Sequence, residues 1–285
     1  MTQPEFTNED GNKIELHRMD PENGEVRGTA LIIHGLGEYA ERYSHIAKYF
    51  AEKCGLACWY CSLEGYGLSD GKAGLVRSFE EVYYRDLLAI FRMVEAAFPD
   101  VPRFVIGHSM GGLISLDFAQ HHPEAIANGG VYCSGPCLAL HPSQLMPGLN
   151  LILAVCNKLA PTLTVNKVKG PLCSEPANLH PDTDPVQLRY NVPARTAYNL
   201  SRKCTSFRQQ WIGGQVEFPF FVTVGDGDIM VDPTAVEQFY TVSKSSNKKF
   251  ELVPGRMHEL WQEANWEETV AKGAEWVSAI LDGAQ

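Results

Sequence analysis

Residues 103–112, RFVIGHSMGG, constrain this 285-residue chain more than any other stretch. An apolar run, a serine set among glycines and the periodic apolar segment LISLDFAQ follow one another without a break. Glycine loses more conformational entropy on folding than any other residue, so three glycines around one serine need a steric reason. A sharp strand-to-helix turn supplies one. It leaves no room for side chains two residues before and two after the serine, at Gly107 and Gly111, and it thrusts the Ser109 hydroxyl out at the end of a sheet. G-x-S-x-G by itself is a weak signal; its placement between a strand-like and a helix-like segment gives it weight.

The text on both sides agrees with such a turn. TALIIHG (29–35) and ACWYCSLEGYG (57–67) flank a segment in which Tyr43, Ile46, Ala47 and Phe50 recur at helical spacing, and SFEEVYYRDLLAIFRMVEAAFP marks another amphipathic helix before RFVIG. Strand, helix, strand, helix, strand predicts an α/β fold with a mostly parallel central sheet and helices on both faces. The alternation stops near Pro136 and resumes at FPFFVTVGDGD. Residues 1–136 and 214–285 are therefore expected to form the core. Residues 137–213, Pro-rich, without strand-like alternation and with one apolar segment LNLILAVCNKLA, are expected to form a mainly helical cap.

Composition narrows the setting. A net charge of −10 argues against nucleic acid as a partner. The start, MTQPEFTNEDGNK, lacks a secretory pattern, and no apolar run approaches the roughly 20 residues that span a bilayer, so a cytoplasmic protein is expected. Eight cysteines, mostly inside apolar runs, fit free thiols in that compartment. Cys58 and Cys61 have redox-motif spacing but close a strand-like run instead of opening a helix. The cap segment carries eight Lys and Arg (158, 167, 169, 189, 195, 202, 203 and 208) against Glu175, Asp182 and Asp184, a net of +5 in an acidic chain. Peripheral contact with an anionic membrane through the cap is one reading of it, a solvated lid packed on the body the other.

A serine hydroxyl is a poor nucleophile at neutral pH, so Ser109 requires a base and an orienting acid downstream, in the order serine, acid, histidine. Of nine histidines only His258 follows a late strand-like run, FELVPG, and precedes the last helix. Asp226, Asp228 and Asp232 are the candidate acids in GDGDIMVDP. Asp232 precedes Pro233 as a helix N-cap, Asp226 suits the turn, and Asp228 is left to hold the imidazole. An oxyanion needs two N–H donors, expected at Met110 and at Leu36 in IIHGLGE, where glycines on both sides let the backbone approach; His34 is expected to buttress that loop.

Taken together, HGLGEYAERY, GYGLSDG, GHSMGG, APTLTV, GDGDIMVDP and MHELWQE resemble, in order and over nearly the whole chain, the α/β-hydrolase superfamily and within it the monoacylglycerol lipase and lysophospholipase family of serine aminopeptidase-like hydrolases. The resemblance implies a cofactor-free, metal-free hydrolase of a small lipid ester, most simply a monoacylglycerol, with an acyl-enzyme on Ser109. It also implies head-group contacts at Glu38 and Arg42, although a Glu and an Arg four residues apart also pair with each other. Two positions depart from the family pattern: Ser62 stands where an aspartate is usual, and Trp261 where mammalian-type members carry a second histidine. Other readings are a carboxylesterase or lysophospholipase, a proline-releasing aminopeptidase, for which the cap has few acids, and a non-catalytic binding protein.

Overall fold

The protein was analysed as a computed structural model that describes residues 4–166, 172–177 and 192–283. Strands β1 (Leu16–Met19), β2 (Gly28–Ile33), β3 (Leu56–Cys61), β4 (Arg103–His108), β5 (Gly130–Ser134), β6 (Phe220–Gly225) and β7 (Lys248–Val253) form one sheet in the order β7-β6-β5-β4-β2-β3-β1. Only β1 runs antiparallel, against β3; the remaining pairs are parallel. Every residue of β2 through β6 is buried, as expected of strands covered on both faces.

The two faces follow the strict alternation of strand side chains. Ala30, Ile32, Phe104, Ile106, Tyr132 and Phe221 pack with α1 (Ser44–Cys54) and α7 (Trp266–Leu281). Leu31, Ile33, Val105, Val131, Phe220 and Val222 pack with α2 (Arg85–Ala97), α3 (Met110–His121) and α6 (Pro233–Val242). Cys58 and Cys61, three apart on β3, fall into different clusters and are free thiols, which excludes a bond between them.

Between β5 and β6 the chain leaves the sheet for α4 (Leu149–Leu159) and α5 (Ala194–Ile212), joined to a short ladder of Thr164–Asn166 with Val192–Pro193. The ladder and the 19-residue α5 differ from the expectation of one apolar helix and no strands. The strands are too short to show alternation. The helix is polar on average but buries Leu200, Cys204, Phe207 and Trp211, a 4-3-4 spacing that a periodicity search would have caught. Lys167, Lys169, Asp182, Asp184 and Arg189, part of the cap's charge count, lie outside the described residues.

Strand order reverses between β2 and β4: the chain runs from β2 outward to β3 and returns on the other side of β2. Ligand sites in open α/β sheets lie at the carboxyl ends of strands beside such a reversal. Leu36, Ser109, Asp228 and His258 follow β2, β4, β6 and β7, at that end.

Candidate active site

Ser109 sits between β4 and α3 with φ 53° and ψ −116°, one of two non-glycine residues with positive φ among those described. Such a conformation costs about 1–3 kcal/mol and persists only where its surroundings hold it. They do so through close backbone contact. A Cβ on Gly111 would lie 2.1 Å from the Ile33 carbonyl oxygen, and one on Gly107 2.3 Å from the Gly111 oxygen. The Ser109 N–H donates to the Ser134 carbonyl (3.0 Å), and its carbonyl accepts from the Cys137 N–H (2.9 Å).

The histidine and the acid converge on this turn. His258 Nε2 lies 2.9 Å from Ser109 Oγ and Nδ1 lies 2.7 Å from Asp228 Oδ2. Asp228 Oδ1 accepts from the Met230 N–H (2.7 Å) and the Val231 N–H (3.0 Å), which fixes the carboxylate in plane. Burial works against charge on both groups. For His258 the Asp228 carboxylate overcomes it and raises the imidazole above its ordinary 6.5. For Asp228 the imidazole and the backbone N–H groups hold the carboxyl below the usual range. Asp226 accepts from the Gly255 N–H (2.8 Å), and Asp232 caps α6 by accepting from the Thr234 N–H (3.0 Å). His108, 4.8 Å from the His258 ring, is bound to the Ser134 carbonyl, and burial depresses it to about 4, so it stays neutral beside His258.

The loop after β2 is braced from several sides. His34 Nδ1–H donates to the Gly35 carbonyl (2.7 Å) and Nε2 accepts from the Leu63 N–H (2.9 Å), a tautomer suited to a buttress. Burial lowers its pKa and keeps it uncharged. The Glu38 carboxylate accepts from the Gly35 N–H (2.8 Å), the Tyr43 hydroxyl (2.5 Å) and Arg42 Nε (3.2 Å). Burial opposes its charge, but Arg42 prevails and holds it at about 2. Arg42 itself, 1% exposed, also reaches Glu259 (3.3 Å). Met110 opens α3, so its N–H has no helical acceptor. Among the described residues neither the Met110 nor the Leu36 N–H has a protein acceptor, which leaves both donors for an oxyanion.

Both departures from the family pattern find an explanation. The Ser62 hydroxyl donates to Glu15 Oε2 (2.5 Å) and accepts from the Ala40 N–H (2.9 Å), while the Leu68 N–H also reaches Glu15 (2.9 Å). Glu15, from the segment before β1, thus brings a carboxylate to the place where Ser62 lacks one. A Cβ on Gly67 would collide with both, 2.2 Å from Ser62 Oγ and 2.5 Å from Glu15 Oε2. Trp261 is 1% exposed and packs beneath the site between Tyr43 and Tyr132; it is not part of the cavity wall.

That cavity, about 60 Å³, is lined by Leu36, Cys137, Leu140, Leu172, Leu200 and Met230 together with Glu38, His108 and Glu259, around Ser109 and His258. A larger groove of about 440 Å³ lies outside, between α4 and α5, and contains no base beside its hydroxyls. Ser109 and His258 border the smaller space.

The family described as "Serine aminopeptidase, S33" matches residues 24–265. A monoacylglycerol lipase of Mycolicibacterium smegmatis is 26% identical over 257 residues, covering 90% of this chain and 89% of its own. A caffeoylshikimate esterase of Arabidopsis thaliana is 29% identical over 272 residues (90% and 79%), and the phospholipase YtpA of Bacillus subtilis 28% over 244 residues (84% and 90%). Among solved structures, a soluble variant of the Saccharomyces cerevisiae monoglyceride lipase with a substrate analogue superposes with a TM-score of 0.81 at 22% identity, over 98% of this chain and 96% of that one. The fold is therefore that of the α/β-hydrolases; the chain belongs to the serine aminopeptidase S33 family and is a carboxylic ester hydrolase.

Proposed function

We propose that the protein hydrolyses monoacylglycerols to a fatty acid and glycerol through an acyl-enzyme on Ser109. The observation that carries the reading is the hydrogen-bonded chain Ser109–His258–Asp228 beside a cavity lined mainly by apolar side chains and reached by the carboxylates Glu38 and Glu259. Ser109 attacks the ester carbonyl as His258 takes its proton, Asp228 holds the tautomer, and the Leu36 and Met110 N–H groups receive the oxyanion. His258 then gives the proton to the departing alcohol, and water repeats the sequence to release the acid. The acyl chain is assigned to the Leu140, Leu200 and Met230 side. The glycerol is assigned to the Glu38 side, with Arg42 fixing that carboxylate from behind.

The core is assigned to residues 1–136 and 214–285 and the cap to 137–213. Pockets for small ligands run to about 300–1,000 Å³, so a cavity of about 60 Å³ admits a long chain only when the cap shifts. Among the described residues no helix is long and apolar enough to cross a membrane. The outer face of α4 nevertheless exposes Leu151 (71%), Val155 (48%) and Leu159 (76%) beside the exposed Lys158, and Leu145 and Met146 precede it. Insertion of this face into an anionic membrane surface gives a cytoplasmic enzyme reversible access to its lipid.

The test is steady-state hydrolysis of 1- and 2-monoacylglycerols of several chain lengths, a lysophospholipid, short p-nitrophenyl esters and a prolyl amide. The highest kcat/KM is expected on a monoacylglycerol. A preference for the short esters would replace this reading by a carboxylesterase, which the small cavity favours.

A pH profile tests the base independently. His258 must be neutral to accept the proton, so log kcat/KM is expected to fall on the acid side through an apparent pKa above 6.5, the direction Asp228 imposes. In Asp228→Asn that limb moves to lower pH while the plateau drops by about 10⁴-fold. An acid limb unmoved by Asp228→Asn would remove His258 from the role.

A further inference from the structure

Cys137 and Cys204 are, among the described residues, the cysteine pair in sulfur contact, with Sγ atoms 3.8 Å apart. Cys137 follows β5, its backbone N–H holds the Ser109 carbonyl, and it lines the cavity with Ser109 and His258. Cys204 lies on the cap helix α5, one turn after Leu200, which lines the same cavity. We infer that Cys137 and Cys204 are a hydroperoxide-reactive dithiol in the wall of the catalytic cavity, closing to a disulfide that ties α5 to the nucleophile turn.

Access and chemistry both favour Cys137 as the attacking sulfur. Cys137 lines the cavity with Ser109, whereas Cys204 is not among its lining residues, so a peroxide in the cavity meets Cys137 first. The single Cys204 S–H has two acceptors within reach, the Cys137 carbonyl oxygen (3.0 Å) and the Cys137 sulfur (3.8 Å); turned to the sulfur it favours the thiolate and draws the Cys137 thiol below its ordinary 9.0 against the effect of burial. The Cys137 thiolate attacks the outer oxygen of the hydroperoxide. The O–O bond breaks, the alcohol (or water, from hydrogen peroxide) leaves with the proton given up by Cys137, and Cys137 becomes a sulfenic acid. The Cys204 sulfur then displaces hydroxide from Cys137: the S–S bond forms, the S–O bond breaks, and the thiol proton leaves with hydroxide as water. Two thiols are oxidised by two electrons and one peroxide is reduced. A disulfide of about 2.05 Å requires the sulfurs to close by roughly 1.8 Å. That movement draws α5, and Leu200 with it, toward Ser109.

The effect on turnover rests on the ester-hydrolase reading above; the bond does not. The reduced full-length protein is exposed to hydrogen peroxide, its remaining thiols are alkylated under denaturing conditions, and peptides are mapped by mass spectrometry in parallel with hydrolysis of a long-chain p-nitrophenyl ester. The expected result is one cross-linked peptide pair, Cys137 with Cys204, and a loss of kcat/KM of more than about fivefold that dithiothreitol reverses. Cys204→Ala is expected to keep basal hydrolysis and to show neither cross-link nor reversible loss. Absence of the cross-link in the wild type, or stable over-oxidation of Cys137 without it, overturns the proposal; a cross-link with unchanged hydrolysis overturns the coupling to α5. If the reduced wild type hydrolyses no ester, the ester-hydrolase reading fails while the peptide map still decides the dithiol.

Discussion

Ser109→Ala is expected to lower kcat by about five orders of magnitude while leaving the protein folded. The geometry separates the two effects. The Oγ atom has one partner, the imidazole of His258, and contributes nothing else to the turn. The φ of 53° is held by backbone contacts of Gly107 and Gly111 and by the Ser134 and Cys137 hydrogen bonds, all of which alanine retains. The melting temperature should therefore stay within a few degrees of the wild type, and Leu36 and Met110 should still bind an anionic product. Any remaining turnover reports the oxyanion donors and substrate binding alone, roughly 10³-fold over water. The check is kcat with the best ester of the panel beside a thermal melt. A variant that keeps more than about a tenth of wild-type kcat and the same melting temperature would take the nucleophile's role from Ser109.

What the sequence made legible was the part whose causes are local. The glycines around Ser109 answer to sterics within a few residues of chain, and GDGDIMVDP sorts its own aspartates, since a cap before proline and a turn acid leave one carboxylate to face the histidine. His258 could be chosen because its place between the last strand and last helix fixes it at the sheet's carboxyl end. Other features depend on which distant segments meet. Glu15 stands 47 residues from the Ser62 hydroxyl it binds, so the carboxylate missing at Ser62 could not be located from the motif. Trp261 lies in a short 3₁₀ turn, Leu260–Gln262, and nothing local decides whether it faces the cavity or the core below. For Glu38 and Arg42 the i, i+4 spacing allowed an ion pair or a head-group site; the structure shows the ion pair, with Glu38 alone reaching the cavity wall.

Lys203 is the residue whose environment the sequence concealed most, and its removal is expected to be the costliest for stability. Among the cap's basic residues it reads as part of a solvated or membrane-facing surface. On α5, however, it lies between Leu200 and Phe207 on the buried stripe, and it is only 7% exposed. Its Nζ is 2.9 Å from Asp117 Oδ2 on α3 and also binds Glu80, while the Tyr84 hydroxyl donates to the same Asp117 oxygen. Burial disfavours its charge, but Asp117 and Glu80 raise its pKa on balance. Helix α5 is thereby fastened to α3, the helix that follows Ser109. Lys203→Ala leaves Asp117, 0% exposed, without its cation, and breaking a buried pair from one side costs about 3–5 kcal/mol. In a chain of this size that is a fall in melting temperature of roughly 10 °C. Removing both charges, as in Lys203→Met with Asp117→Leu, is expected to lose less than Lys203→Ala, because no unpaired ion remains. Urea denaturation of Lys203→Ala, of the double variant and of its two singles, Lys203→Met and Asp117→Leu, decides between burial of a charge and loss of packing: a loss below about 1 kcal/mol for Lys203→Ala, or a double variant as unstable as the sum of its singles, would mean that the pair does not fasten α5 to α3.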